Sequence, residues 1–220
     1  MDHLPGSVPS LLFALVLFSG TGCASVNSYQ TPELLKPGQM AVMPGMTMGV
    51  KSTGFDDSSR RYPIPNGSGL RVGARIGLLP FVDIGGEING LNAVGGDVKA
   101  GFRSESVRLA ANIGMGEGGV GGDGLNGYES RETKTRFGGL FLGVGGAYAA
   151  VKRITYDHVQ ERYESDNIAF RHTVSAFTFG YIGEGRHGAR PIAEINVYNF
   201  PTETVYTIGM GIQFLLDFSE

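Results

Sequence analysis

The sequence predicts an all-β protein, an antiparallel up-and-down barrel of about 8–10 strands that crosses a membrane. Three observations carry that expectation. Glycine supplies 36 of 220 residues, about twice ordinary usage, without the strict period of collagen. After Cys23 no stretch sustains a 3.6-residue apolar period, because glycines interrupt each helical candidate. Runs with a period of two recur instead, joined alternately by short and longer polar connections.

The first strand spans Gln39 to Val50. In Leu70 to Leu78, Val72, Ala74, Ile76 and Leu78 share one face, while Arg71, Gly73, Arg75 and Gly77 share the other. After a tight connection near Leu79 and Pro80, Val82, Ile84, Gly86 and Ile88 alternate with Asp83, Gly85, Glu87 and Asn89. Val98, Ala100 and Phe102 then oppose Asp97, Lys99, Gly101 and Arg103, and Val107 to Met115 repeats the pattern. The stretch Thr135 to Asp157 reads as one long strand or as two hinged at Gly143 to Gly146. At the C-terminus the apolar set is Tyr206, Ile208, Met210, Ile212, Phe214, Leu216 and Phe218. Short links fall near Leu79 to Phe81, Ser104 to Ser106 and Glu184 to Ala189. Longer loops are expected at Lys51 to Gly67, Gly116 to Lys134 and about Tyr156 to Asp166.

A soluble sandwich also alternates, so the polar face decides between the two. Here that face mixes glycine with isolated charges of both signs, which suits a narrow lumen where small residues let the wall close and opposite charges neutralise one another. A turn at Leu78 to Pro80 places Arg75 opposite Asp83 and Arg71 opposite Glu87, two pairs that would plug the lumen. On an ordinary exposed sheet the same pairs would contribute well under about 1 kcal/mol each.

At this point the chain resembles small bacterial outer-membrane β-barrel proteins over roughly Gln39 to Phe218. The closing run Gly209-Met-Gly-Ile212-Gln-Phe214 is similar to the C-terminal assembly signal of that class. A second resemblance covers the first two dozen residues. Leu11 to Phe18 is too short to span a bilayer as a helix but has the length of a signal-peptide core, and it leads to Gly22 and the single cysteine, Cys23. This resembles a bacterial lipoprotein signal, which implies acyl chains on Cys23; Ala24 after it implies passage to the outer membrane. The alternative is an ordinary export signal followed by one thiol. The resulting organisation is a signal peptide over residues 1–22, a lipid-anchored tether over 23–38 and a barrel over 39–218.

Sharper chemical readings find little support. Gly118 to Leu125 matches one unit of a calcium-binding nonapeptide repeat, but that site needs stacked copies and the chain has one. Asp56 and Asp57 are adjacent carboxylates that a solvated turn explains. His158 and His187 lack zinc-site spacing. Lipid-modifying outer-membrane enzymes present His and Ser together. Here His172 and Ser175 are three apart, so a strand puts them on opposite faces, with Ser175 towards lipid and His172 within, and Glu194 on the next strand. Phe137, Phe141, Tyr148, Tyr181, Tyr198, Phe200 and Tyr206 recur near expected strand ends and read as an interfacial girdle.

The expectation is therefore a monomeric outer-membrane barrel, not an enzyme, with no cofactor or metal and with outer-membrane lipid as its surroundings. Its role is structural or one of surface interaction through the outer loops. With a net charge of −3 and no basic patch, nothing points to nucleic acid. Two other readings stay open: a narrow pore or carrier for a small apolar ligand, and a soluble periplasmic lipocalin-like lipoprotein, which would invert the faces.

Overall fold

A computed structural model describes residues 30–51, 69–89, 93–121, 128–162, 165–185, 188–200 and 204–218. Cys23, Asp56, Asp57 and His187 lie outside the described residues. Ten strands follow one another: β1 (Gln39–Lys51), β2 (Gly69–Leu79), β3 (Val82–Asn89), β4 (Ala93–Arg103), β5 (Val107–Gly121), β6 (Tyr128–Val144), β7 (Ala147–Arg162), β8 (Ser165–Ile182), β9 (Ala189–Asn199) and β10 (Thr204–Asp217). Each pairs antiparallel with its sequence neighbours, and β1 pairs with β10 to close the barrel. Closure leaves no open edge, so every ladder finds its backbone partners within the wall.

The register fixes the barrel's size. Walking across the ladders from Met40 leads through Ile76, Ile84, Val98, Ile113, Gly138, Arg153, Ser175 and Asn199 to Thr204. Thr204 returns to β1 one step beyond the Lys51–Val205 pair, a displacement of about twelve residues from Met40. With ten strands this stagger gives a tilt of about 40°, a backbone radius of about 10 Å and a rise of about 2.5 Å per residue along the axis.

Thr135 to Asp157 is two strands, β6 and β7, turned at Gly145–Gly146, where Gly145 adopts φ 57°. That left-handed conformation favours glycine, and two-residue hairpins depend on it. Two expected loops are largely strand. β5 and β6 pair from Gly121–Ser130 downwards, and β7 runs to Arg162 before β8 begins at Ser165. The sequence pattern failed there because the outward residues Glu132, Lys134, Asp157 and Arg171 stand above the apolar belt, with Arg136 at its upper edge. The ladder continues where the apolar alternation stops. His158, expected in a loop, belongs to β7 for the same reason.

The outer surface is apolar. Ile113 (73% exposed), Met115, Leu140, Phe102 and Val94 head a long series of outward aliphatic and aromatic side chains that reaches Ile208, Met210, Ile212, Phe214 and Leu216 on β10. Polar and charged side chains face inward instead, the reverse of a lipocalin-like soluble barrel. At the end carrying the short turns, Phe81, Phe102, Tyr181 and Phe214 face outward, and Tyr206 does so near the other end. The expected girdle is corrected at Phe137, Phe141, Tyr148 and Tyr198, which are buried inside the barrel, and at Phe200, which packs against the inner cluster. Sequence position near a strand end did not reveal the face; parity along the strand did.

A closed, lipid-facing barrel should migrate differently in SDS gels before and after boiling, and Cys23→Ala should stay in the membrane after carbonate extraction. Unchanged mobility together with release of that variant would contradict the closed spanning barrel.

Candidate functional site: the occluded lumen

Three levels of side chains fill the lumen. The lowest is supplied by the segment Gln30 to Gly38, part of the stretch 23–38 expected as a tether, which enters the barrel from the short-turn end. Pro37 bridges Gly77, and the Gly38 amide donates to the Gly77 carbonyl at 3.0 Å. Leu34 and Leu35 are buried, and the Leu35 amide points at Asp83 Oδ2 at 3.5 Å. Lys99 Nζ donates to the carbonyls of Thr31 (3.0 Å) and Glu33 (2.5 Å), and Arg190 pairs with Glu33 at 2.5 Å. Asn112 Nδ2 donates to Gln30 Oε1.

Above this segment lies the ionic level on β2, β3 and β4. Arg75 donates through Nε to Asp83 at 2.8 Å and through Nη1 to Asp97 at 2.7 Å, while Lys99 Nζ lies 3.3 Å from Asp83. Arg71 pairs with Glu87. All four residues singled out in the sequence, Arg71, Arg75, Asp83 and Glu87, face the lumen. The direct register expected for them is corrected: Asp83 sits opposite Gly77, Arg75 opposite Gly85 and Arg71 opposite Asn89. The turn lies further along, at Pro80 and Phe81, with an irregularity between Gly77 and Leu79. Displacement by two residues keeps every side chain on its face, so long Arg side chains reach their carboxylates diagonally. Sequence reasoning missed Asp97 and Lys99 as members of this cluster, although their parity in the Asp97 to Arg103 run carried the signal.

Glycine makes the reach possible. Arg75, Gly85 and Asp97 form one row across three strands, and a Cβ on Gly85 would come within 2.7 Å of Arg75 Nη1. The opposite wall repeats the device. Tyr148, Gly180 and Glu194 form a row, a Cβ on Gly180 would lie 2.2 Å from the Tyr148 ring, and Tyr148 Oη donates to Glu194 Oε1 at 2.5 Å. Beside them Lys152 Nζ lies 5.5 Å from the Phe141 ring centroid, and Thr178 Oγ1 donates to Asn196 Oδ1 at 2.6 Å.

The third level is apolar: Phe137, Ile154, Tyr156, Val174, Ala176, Tyr198 and Val205 pack together on the lumen face of β6–β10. His172 stacks on Tyr156 with centroids 5.0 Å apart and lies 5.9 Å from Phe200. Ser175 faces outward, so the barrel wall separates it from His172, and Glu194 is engaged by Tyr148. Among the described residues no cluster of three His, Cys, Asp or Glu side chains could hold a metal. Between Gln30, Arg71, Arg75 and Asp97 the free space is about 10 Å³, room for one water at most.

No family model matches the chain, and no curated protein matches it. Solved bacterial barrels do. The translocator domain of the autotransporter NalP from Neisseria meningitidis is 10% identical, over 94% of this chain and 95% of that one, with a TM-score of 0.42. The N-terminal β-barrel domain of Pseudomonas aeruginosa OprF is 10% identical, over 83% and 100%, with a TM-score of 0.39. Ail of Yersinia pestis is 9% identical, over 82% and 99%, with a TM-score of 0.38. At these values nothing about activity passes from them to this chain.

Asp83 is fully buried between Arg75 and Lys99, so Asp83→Ala leaves the buried Lys99 without a carboxylate and Arg75 with Asp97 alone, and should lower unfolding stability by about 3–5 kcal/mol. The exposed Glu132→Ala should leave it unchanged, because water already screens the pair with Lys134. Urea titrations of the folded barrel in lipid vesicles compare the two, and equal midpoints would contradict the ionic level. In the same assay Gly180→Ala should cost about 1–3 kcal/mol by breaking the Tyr148–Glu194 contact. The outward Gly138, whose added Cβ would meet nothing closer than 3.5 Å, should tolerate alanine.

Proposed function

We propose that this protein is an outer-membrane barrel with a closed lumen, whose role is to hold a projecting sheet at the cell exterior for contact with a partner. The filling of the lumen at three levels is the observation that carries this reading. An apolar belt of ~25 Å needs about ten residues per strand at this tilt. β6, β7 and β8 have 17, 16 and 18 residues, so their ends opposite the short turns rise beyond the belt. Together with β5 they form a one-sided wall whose outer face carries Glu132, Lys134, Asp157 and Arg171. The wall takes over the contact role that the sequence had assigned to loops. Acyl chains on Cys23 belong to the same proposal: at ~3.3 Å per residue, the stretch from Gln30 back to Cys23 can reach the periplasmic membrane surface.

The purified chain in planar bilayers should give no steady open steps above background. An epitope inserted at 163–164, between β7 and β8, should bind antibody on intact cells. Sustained conductance would favour the pore instead, and labelling only after permeabilisation would reverse the orientation.

A further inference from the structure

We infer that the outer face of β6–β8 carries a binding site for the phosphate headgroup of an outer-leaflet lipid, with one acyl chain lying in the adjoining groove. The inference rests on the outer-membrane reading above. On most strands the outward residues stay apolar up the wall, but on β6–β8 they turn polar early, through the row Gly138, Arg153 and Ser175. Arg153 stands ~18 Å above the periplasmic rim at ~2.5 Å per residue, within the upper part of the belt. It is exposed and makes no ion pair or hydrogen bond among the described residues. A guanidinium at that depth extends towards the headgroup layer, and Gly138 and Ser175 on either side leave it room.

About 10 Å further up β7 at the same rise, Asp157 Oδ2 accepts from Arg136 Nη2 at 2.6 Å, and Asp157 Oδ1 accepts from Arg171. One carboxylate thus orients two guanidiniums, and the face as a whole sets Arg136, Arg153, Arg171 and Lys134 against Asp157, Glu117 and Glu132, a net excess of one positive charge. Oriented guanidiniums of this kind match the planar, two-point geometry with which arginine binds phosphate oxygens. Next to Arg136, Lys134 and Glu117 a groove of about 570 Å³ runs down the outer wall past Met115 and Val94 over the bare backbone of Gly96. Charge above and an apolar channel below complement a lipid with an anionic headgroup. A soluble anion would leave the channel unfilled.

The test uses the full chain in phosphatidylcholine bilayer discs with and without phosphatidic acid, and reads the lipids retained on the protein by native mass spectrometry. Phosphatidic acid should be enriched about fivefold over its bulk share on the wild-type protein. It should fall to its bulk share in the triple variant Arg136→Gln, Arg153→Gln, Arg171→Gln. Equal enrichment in wild type and variant, or none in either, would overturn the lipid site. Heat-dependent gel mobility is measured on both proteins first. A variant that shifts as the wild type does is a folded barrel, so any loss of lipid is local. Should the variant fail that check, Arg153→Gln alone carries the test, and undiminished phosphatidic acid on it overturns the site. A wild-type chain that neither shifts nor inserts would instead overturn the membrane reading itself.

Discussion

Asp83 is the node on which the lumen depends. It has no exposed surface, yet its two oxygens face Arg75, Lys99 and the Leu35 amide. A carboxylate taken out of water is costly unless opposite charges and donors surround it, and here they come from β2, β4 and the N-terminal segment at once. The same Lys99 that pairs with Asp83 also holds the carbonyls of Thr31 and Glu33. Wall and inserted segment are therefore stabilised by one network, and neither is satisfied without the other. The charges named in the lumen balance: Arg71, Arg75, Lys99, Lys152 and Arg190 stand against Glu33, Asp83, Glu87, Asp97 and Glu194.

That arrangement follows from the size of the barrel. With a backbone radius of about 10 Å, long side chains from facing strands meet near the axis, and a lumen of this width is filled by side chains or left as a thin channel. Filling it needs unequal side-chain sizes within a row, which is what Arg75–Gly85–Asp97 and Tyr148–Gly180–Glu194 supply. The abundance of glycine thus has a packing origin on the inner face. A glycine there lets one large side chain lie across a strand and bond to the strand beyond it.

Parity makes much of this legible in the sequence. Alternation gave the faces of β2 to β5 and β10, and it separated His172 from Ser175, because a step of three always changes face. Register was less accessible. The position of the β2–β3 turn moved the partner of Arg75 by two residues, a change that leaves the face pattern untouched and so leaves no trace in it. The aromatic side chains misled because Phe137, Phe141, Tyr148 and Tyr198 satisfy either a girdle or a core by chemistry alone. The insertion of Gln30 to Gly38 had no periodic signal at all, since a segment held by backbone carbonyls and single side chains needs no repeat.

The lengths of β6 to β8 link the interior to the exterior. Above the belt, a strand loses the lipid that favoured its outward apolar residues, and it persists only where both of its ladders continue and its inner face is packed. The inner face of this wall supplies that packing: Ile154, Tyr156, Val174 and Tyr198 are buried, and His172 stacks upon them. Its outer face is free to be charged, and Arg136, Asp157 and Arg171 form a cross-strand ion network where aliphatic residues would otherwise meet water. The apolar cluster on the lumen face of β6–β10 therefore also supports the upper ends of these long strands. In the proposed role, filling of the barrel on this side and display of the wall are two consequences of one packed cluster.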